Sequence, residues 1–208
     1  MNASAFSRQA TDQDLGAIID TLTLAFEDDP VWGGWAFPDP RRASALRRAF
    51  FGLWLTSALR HRWVRVTPCC EAVAIWIPPG EVENTQENEQ QLACMARELL
   101  GDHAGAFLKG GELFDASHLR DRPHYYLSLL GTHDDHRGKG LGMGLLQENL
   151  ALIDAEGMPA YLESTNPRNN SRYERHRFTK IGAYTLPGGG PRVDMMWREP
   201  VDPMRQTP

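Results

Sequence analysis

The segment that most constrains this chain is His133-Asp134-Asp135-His136-Arg137-Gly138-Lys139-Gly140-Leu141-Gly142-Met143-Gly144-Leu145-Leu146, where a strand runs into a glycine-rich turn and then a helix. Ahead of it, Tyr125 to Leu130 is a short apolar run of strand character. Behind it, Leu141, Leu145, Leu146, Asn149, Leu150 and Ile153 recur at helical spacing. Glycines at alternate positions let the backbone approach a ligand without side-chain collision. The N–H groups of a first helical turn lack intrahelical partners and lie at the positive end of the helix dipole. A turn of this kind is an anion site, and it points to a ligand that carries phosphate.

Spacing separates the known glycine-rich loops. A Walker-type loop needs Ser or Thr after Gly-Lys to hold magnesium, but Gly140 follows Gly138-Lys139 here and His133 stands where the first glycine belongs. A dinucleotide fingerprint needs a small residue at Met143 or Leu145. What remains is Arg137-x-x-Gly140-x-Gly142 opening a helix after a strand, which resembles the pyrophosphate-binding motif of the GCN5-related N-acetyltransferases. Tight strand-helix packing is the plain alternative for the same glycines. The stretch from Pro159 to Phe178 resembles that family's next strand, its Asn-containing turn at Asn166, and its next helix, here Tyr173-Glu174-Arg175-His176-Arg177-Phe178. Two such motifs in order on either side of a helix are harder to obtain by chance than one.

The resemblance is clearest from about His124 onward. It implies an α/β fold with a mixed, mostly antiparallel sheet of about six or seven strands, helices on both faces, and a parallel central pair that splays to admit acetyl-CoA. The Ala25-Phe26-Glu27-Asp28-Asp29-Pro30 stretch and Pro191 to Arg198 look like the puromycin N-acetyltransferase branch. Arg177 departs from the family pattern, which has glycine before the phenylalanine, and this places the geometry of that helix end in question.

At 208 residues the chain suits one domain, 1–208, with its acetyl-CoA-binding core at about 124–180. Apolar residues at 41% and charged residues at 24% are ordinary for a globular protein. No apolar run approaches the ~18 residues that span a bilayer, and Met1-Asn2-Ala3-Ser4 lacks the features of a signal peptide, so a cytoplasmic protein without membrane partners is expected. Cys69, Cys70 and Cys94 suit neither a disulfide scaffold nor a zinc site. A net charge of −5 argues against nucleic acid and leaves room for a cationic acceptor. A monomer and a homodimer are both compatible with the sequence.

The patterns predict a strand at Phe6 to Thr11, then a helix capped by Asp12 and a second over Ala43 to Leu59. Strands follow at Trp63 to Val66 and Ala72 to Ile77, and a helix carrying Leu92, Met95, Ala96, Leu99 and Leu100 ends at Gly101. Asp102 to Arg122 reads as a short helix and a loop. Strands near Thr179 to Leu186 and Arg192 to Arg198 flank a Pro187-Gly188-Gly189-Gly190 turn.

Acetyl transfer from a thioester to an amine needs a bound donor, a neutral amine, a polarised carbonyl and a protonated leaving sulfur. The resemblance assigns the donor to Leu129, Leu130, Gly131 and Thr132 on the central strand, to Arg137, Gly138, Lys139, Gly140, Leu141 and Gly142 at the turn, and to Asn166. It makes Tyr173 the acid at the sulfur. Glu163, at the carboxyl end of its strand, is the candidate base. Glu27, Asp28 and Asp29 either bind a cationic amine or form a solvated helix end. Trp32, Trp35 and Phe37 either wall the acceptor or fill core. His133, Asp134, Asp135 and His136 form a loop ahead of the phosphate turn, and no metal is expected. The chemistry implied is an acyltransferase acting on a primary amine of a small molecule. The alternatives are a protein or peptide amine, or a non-catalytic acyl-CoA-binding module.

Overall fold

The computed structural model of the chain describes residues 6–201, so the expectation for Met1 to Ser4 lies outside them. Strand β1 (Arg8–Gln9) is shorter than expected: its pairing with β2 ends at Gln9, and a 3-10 turn begins at Asp12. Thr11, whose N–H and hydroxyl both donate to Asp14 Oδ2 at 2.9 Å, caps the 3-10 turn Asp12–Asp14 ahead of helix α1 (Leu15–Ala25), so Asp12 lies inside that turn and Asp14 is the residue that precedes α1. Helix α2 (Ala43–Ala58), β2 (Val64–Val66) and β3 (Ala72–Ile77) fall on the expected patterns.

Helix α3 (Gln86–Leu99) starts well before its apolar stripe, because the Thr85 hydroxyl accepts from the Asn88 N–H at 3.2 Å. The segment read as a short helix and loop is a full helix, α4 (Ala104–Ser117). Its interior glycines disguised it, and one of them is a packing requirement: a Cβ on Gly110 would lie 2.4 Å from the Trp35 ring. There follow β4 (Tyr125–Thr132), α5 (Leu141–Ala155), β5 (Ala160–Ser164), α6 (Asn170–Arg175), β6 (Thr179–Thr185) and β7 (Arg192–Arg198).

One seven-stranded sheet runs β1-β2-β3-β4-β5-β7-β6, with β4 and β5 parallel and the other neighbours antiparallel. Strand β3 is buried along its whole length, which gives it apolar side chains on both faces. Val73, Ile75 and Ile77 meet Ile18, Leu22, Phe51 and Leu55 of α1 and α2 on one face. Ala72, Ala74 and Trp76 meet Leu145, Leu146, Leu150 and Ile153 of α5 on the other, where the Trp76 indole N–H donates to the buried Asn149 side chain at 3.0 Å. Each fully buried Leu or Ile contributes about 1.5–3 kcal/mol, whereas a helical glycine costs about 1 kcal/mol against alanine, so this packed face holds the glycine-rich start of α5 on the sheet.

Helix α6 ends with Arg177 at φ 67°, the left-handed conformation that glycine takes in related helices. The arginine adopts the glycine geometry instead of ending the helix differently. Its N–H donates to Glu174 O at 2.9 Å, and the Phe178 N–H donates to Tyr173 O at 3.2 Å.

Candidate active site

Strands β4 and β5 pair only at Tyr125–Ala160, Tyr126–Tyr161 and Leu127–Leu162, although both continue beyond. The opening coincides with a bulge. Ile75 of β3 faces Leu129 and Trp76 faces Leu127, so Ser128 is the extra residue. The bulge reverses the alternation: Leu127 packs toward α5, and Leu129 packs toward α1 and α2. The resulting cleft is lined by Leu127, Ser128 and Leu130 on one wall and by Leu162, Glu163, Ser164 and Thr165 on the other, with Tyr173 and Asn166 also facing it. Leu130 therefore faces the cleft, while Leu129 fills the core. A Cβ on Gly131 would lie 3.0 Å from Ala25 Cβ, so this strand position lets α1 approach.

Glu163 collects hydroxyls. Tyr126 donates to it at 3.1 Å from β4 and Tyr161 at 3.0 Å from β5. Burial pushes its pKa up to about 7, the tyrosine hydrogen bonds oppose that rise, and the charge of Glu83 adds to it. A carboxyl so placed exchanges a proton near neutral pH. Tyr126, Tyr161 and Tyr184 are all held above the ordinary tyrosine range by burial and then by the Glu163 charge.

Tyr173, on α6, packs its ring edge-on to Phe178 and faces the same cleft. Burial, then the charge of Asp29, pushes its hydroxyl up to about 12, so at neutral pH it keeps its proton. Asp29 is 7% exposed, not a solvated helix end. Its Oδ1 accepts from the N–H groups of Val31 and Trp32 at 2.9 and 3.0 Å, capping the π-helical turn Pro30–Trp35, and its Oδ2 accepts from the Thr165 hydroxyl at 2.8 Å. That last bond ties the segment after α1 to the end of β5 across the cleft. Trp32 lines the cleft and stacks on Phe114 at 5.9 Å, whereas Phe37 is core against Phe50 and Phe107. Trp35 donates to Pro187 O at 3.1 Å, on the β6–β7 turn. Glu27 and Asp28 are not among the lining residues; they stand on the surface, 3.7 Å from Arg47 and 3.9 Å from Arg137.

At the glycine-rich turn, Gly138 and Gly140 have φ of 78° and 77°, which glycine adopts without strain. A Cβ on Gly142 would lie 2.5 Å from Thr132 Oγ1, so this glycine sets the approach of α5 to β4. The packing reading of the motif holds at Gly142, and the positive φ of Gly138 and Gly140 shapes the turn ahead of it. Among the described residues, no N–H from 138 to 143 donates to a protein acceptor, Leu141 included. The Arg137 guanidinium caps the end of α1, donating to Leu24 O and Ala25 O at 3.1 and 3.0 Å, and pairs with Asp134 at 2.8 Å. Lys139 donates to Asp135 O at 3.0 Å, and Asn166 Oδ1 accepts from the Arg168 N–H at 3.1 Å. The His133 ring accepts from the Asp135 N–H at 3.3 Å, and among the described residues no group of three metal-ligating side chains is assembled.

No family model matches the sequence. An uncharacterized N-acetyltransferase of Schizosaccharomyces pombe is 32% identical over 83 residues, 39% of this chain, and the chain spans about a third of that protein, 34%. A structure from Corynebacterium glutamicum, described as histone acetyltransferase HPA2 and related acetyltransferase, superposes with a TM-score of 0.69 at 26% identity, over 97% of this chain and 99% of that one. The chain has the fold of the GCN5-related N-acetyltransferase superfamily. The Drosophila melanogaster polyamine N-acetyltransferase, which forms N-acetylagmatine, shares the fold at 16% identity and a TM-score of 0.58, over 93% of this chain and 98% of that one.

Within this superfamily fold, several residues at the cleft carried no signal in the sequence. Tyr126 and Tyr161 reach Glu163 only because the two strands pair in a particular register. Ser128 is marked by a bulge that strand periodicity does not show. Glu83, in the polar stretch before α3, accepts a hydrogen bond from the Ser128 hydroxyl.

Proposed function

We propose that this chain is an acetyl-CoA-dependent N-acetyltransferase, folded as one domain, that transfers acetyl to a primary amine of a small molecule by direct attack in a ternary complex. The observation that carries the reading is the end of β4–β5 pairing at Leu127–Leu162, which opens a cleft walled by Glu163 and Tyr173. The residues present fit acetyl-CoA. Beyond Leu127 the β4 edge toward β5 is unpaired, and the strand leads into a turn whose N–H groups from 138 to 143 are uncommitted. Those N–H groups and the α5 dipole suit a pyrophosphate.

Acetyl-CoA supplies an activated acetyl thioester, whose carbon–sulfur bond breaks as the new carbon–nitrogen bond forms. Glu163, poised near neutral pH, takes one proton from the acceptor ammonium and later releases it to water. Tyr173, protonated at neutral pH, gives its phenolic proton to the departing sulfur and regains one as the nitrogen sheds its second. Asp29 holds the Trp32 turn and Thr165 together, and so positions the acceptor wall. Arg137 acts through α1 and Asp134, fixing the turn from outside.

Phe26 and Trp32 wall the cleft beside the buried Asp29, and Glu27 and Asp28 stand outside it, which favours a small acceptor. The fold relatives described as acting on agmatine and polyamines support a small amine as well. The C. glutamicum relative's description favours a peptide amine as the second reading. Unpaired thiols at Cys69, Cys70 and Cys94, and no helix among the described residues long and apolar enough to cross a membrane, agree with a cytoplasmic site of action.

Free-thiol detection of CoA release over aminonucleosides, polyamines, aminoglycosides and peptide amines tests the reading. Thiol release with one small-amine class is expected. Acetyl-CoA binding with no thiol release over the whole panel overturns it, and release with peptides alone favours the second reading.

A further inference from the structure

We propose that Glu83 is a positioning residue on the acceptor side, a second carboxylate fixed against the bulge at Ser128 so that it and Glu163 act on the acceptor ammonium as a pair. The inference rests on the acetyltransferase reading. Glu83 belongs to the loop between β3 and α3, and that loop is pinned by polar groups at the end of α2 rather than by apolar burial. The Ser57 hydroxyl donates to Glu83 O at 2.8 Å, the Arg60 guanidinium reaches Val82 O and Glu83 O, and His61 Nε2 lies 2.9 Å from Val82 O. Val82 itself remains 55% exposed. With its backbone so held, Glu83 reaches Ser128 Oγ, which donates to its carboxylate.

Ser128 is both the extra residue of the bulge and a wall of the cleft. Bulges beside active sites commonly re-aim a side chain, and this one joins a distant loop to the place where β4 and β5 part. Glu163 stands on the opposite wall. Tyr126 donates to Glu163 and is subject to the charges of both acids. The groups facing Glu163 are Tyr126 from β4, Tyr161 from β5, Tyr184 from β6 and Glu83 from the loop; Arg60 is the cation near Glu83. Burial raises both carboxyls, and the Glu83 charge raises Glu163 further. Two desolvated acids that interact shift each other's titration. The charge on Glu83 makes Glu163 the stronger base toward the ammonium, and no bond to Glu83 forms or breaks.

Glu83→Gln keeps an oxygen for Ser128 and the shape of the loop while removing the charge. The acidic limb of the kcat/KM profile should then move to lower pH by about 0.5–1 unit, because removing a like charge eases ionisation of the remaining acid. Glu83→Asp, which retains the charge, should return the limb toward wild type. A purely structural role predicts lowered activity with an unmoved limb, and that result overturns the proposal. A carbon-13 titration of the Glu163 carboxyl in wild type and Glu83→Gln reads the same shift without turnover. A shifted titration with no acceptor found would sink the functional reading and keep the pairing; an unshifted titration sinks the pairing. Should Glu83→Gln fail to fold, the carbon-13 titration of wild type and Glu83→Asp decides instead: two coupled carboxyl steps support the pair, and independent single steps overturn it.

Discussion

The Tyr126 hydroxyl donates to Glu163 Oε2 at 3.1 Å, next to the last paired rungs of β4 and β5. This bond joins the two strands at the point where they separate. It stabilises the ionised carboxylate against a burial that favours the neutral acid, and the balance sets Glu163 at about 7. A deeper site without the hydroxyls would leave the acid protonated and unable to accept a proton at neutral pH.

Glu163→Gln removes the base. With wild type, kcat/KM should rise with pH through about 7, since only the ionised carboxylate accepts a proton. The variant should lose that limb and fall by about 100-fold or more at neutral pH, a usual size for a positioned acid or base. Initial rates across pH 5–9 check it; an unchanged limb in Glu163→Gln would assign the base elsewhere.

Tyr173→Phe removes the proton donor but keeps the ring against Phe178. We expect kcat to fall about 100-fold with acetyl-CoA affinity unchanged, and the deficit to shrink when the leaving thiol is more acidic. Steady-state rates with acyl donors of graded thiol acidity read this directly, and equal deficits for all donors would remove Tyr173 from the chemistry.

Gly140→Ala places a side chain at φ 77°, a backbone region that costs an ordinary residue about 1–3 kcal/mol. The N–H groups that follow it begin α5, so the substitution should weaken acetyl-CoA binding as well as stability. Calorimetric titration of acetyl-CoA together with thermal unfolding measures both. Wild-type affinity in the variant would mean that the turn does not hold the donor.

Arg177→Gly goes the other way. Arginine at φ 67° is strained, while glycine there is relaxed but loses more entropy on folding, so the net gain should be about 0.5–1 kcal/mol. Denaturant unfolding detects it, and a variant less stable than wild type would show that the Arg177 side chain makes a compensating contact.

This position also shows what the sequence could and could not convey. The departure from glycine was visible in the chain, and so was the question of geometry at that helix end, because a left-handed C-cap is a local requirement. The turn at Gly138 and Gly140, the boundaries of β3 and β7, and the apolar face of α5 were legible for the same reason: each is set by neighbours in sequence. Asp29 was not legible, since a carboxylate at a helix end looks alike whether it is solvated or capping the next turn, and its bond to Thr165 spans most of the chain. The full length of helix α4 was missed because Gly110 answers to Trp35, far from it in sequence. Ser128 and Glu83 depend on strand register, which no single segment encodes.

A crystal structure with bound CoA is the most direct test of the central claim. It should place the diphosphate against the N–H groups of residues 138–143 and the pantetheine arm along β4 beyond Leu127, with the sulfur beside the Tyr173 hydroxyl. CoA bound outside the β4–β5 opening, or a Tyr173 hydroxyl directed away from the sulfur, would contradict it.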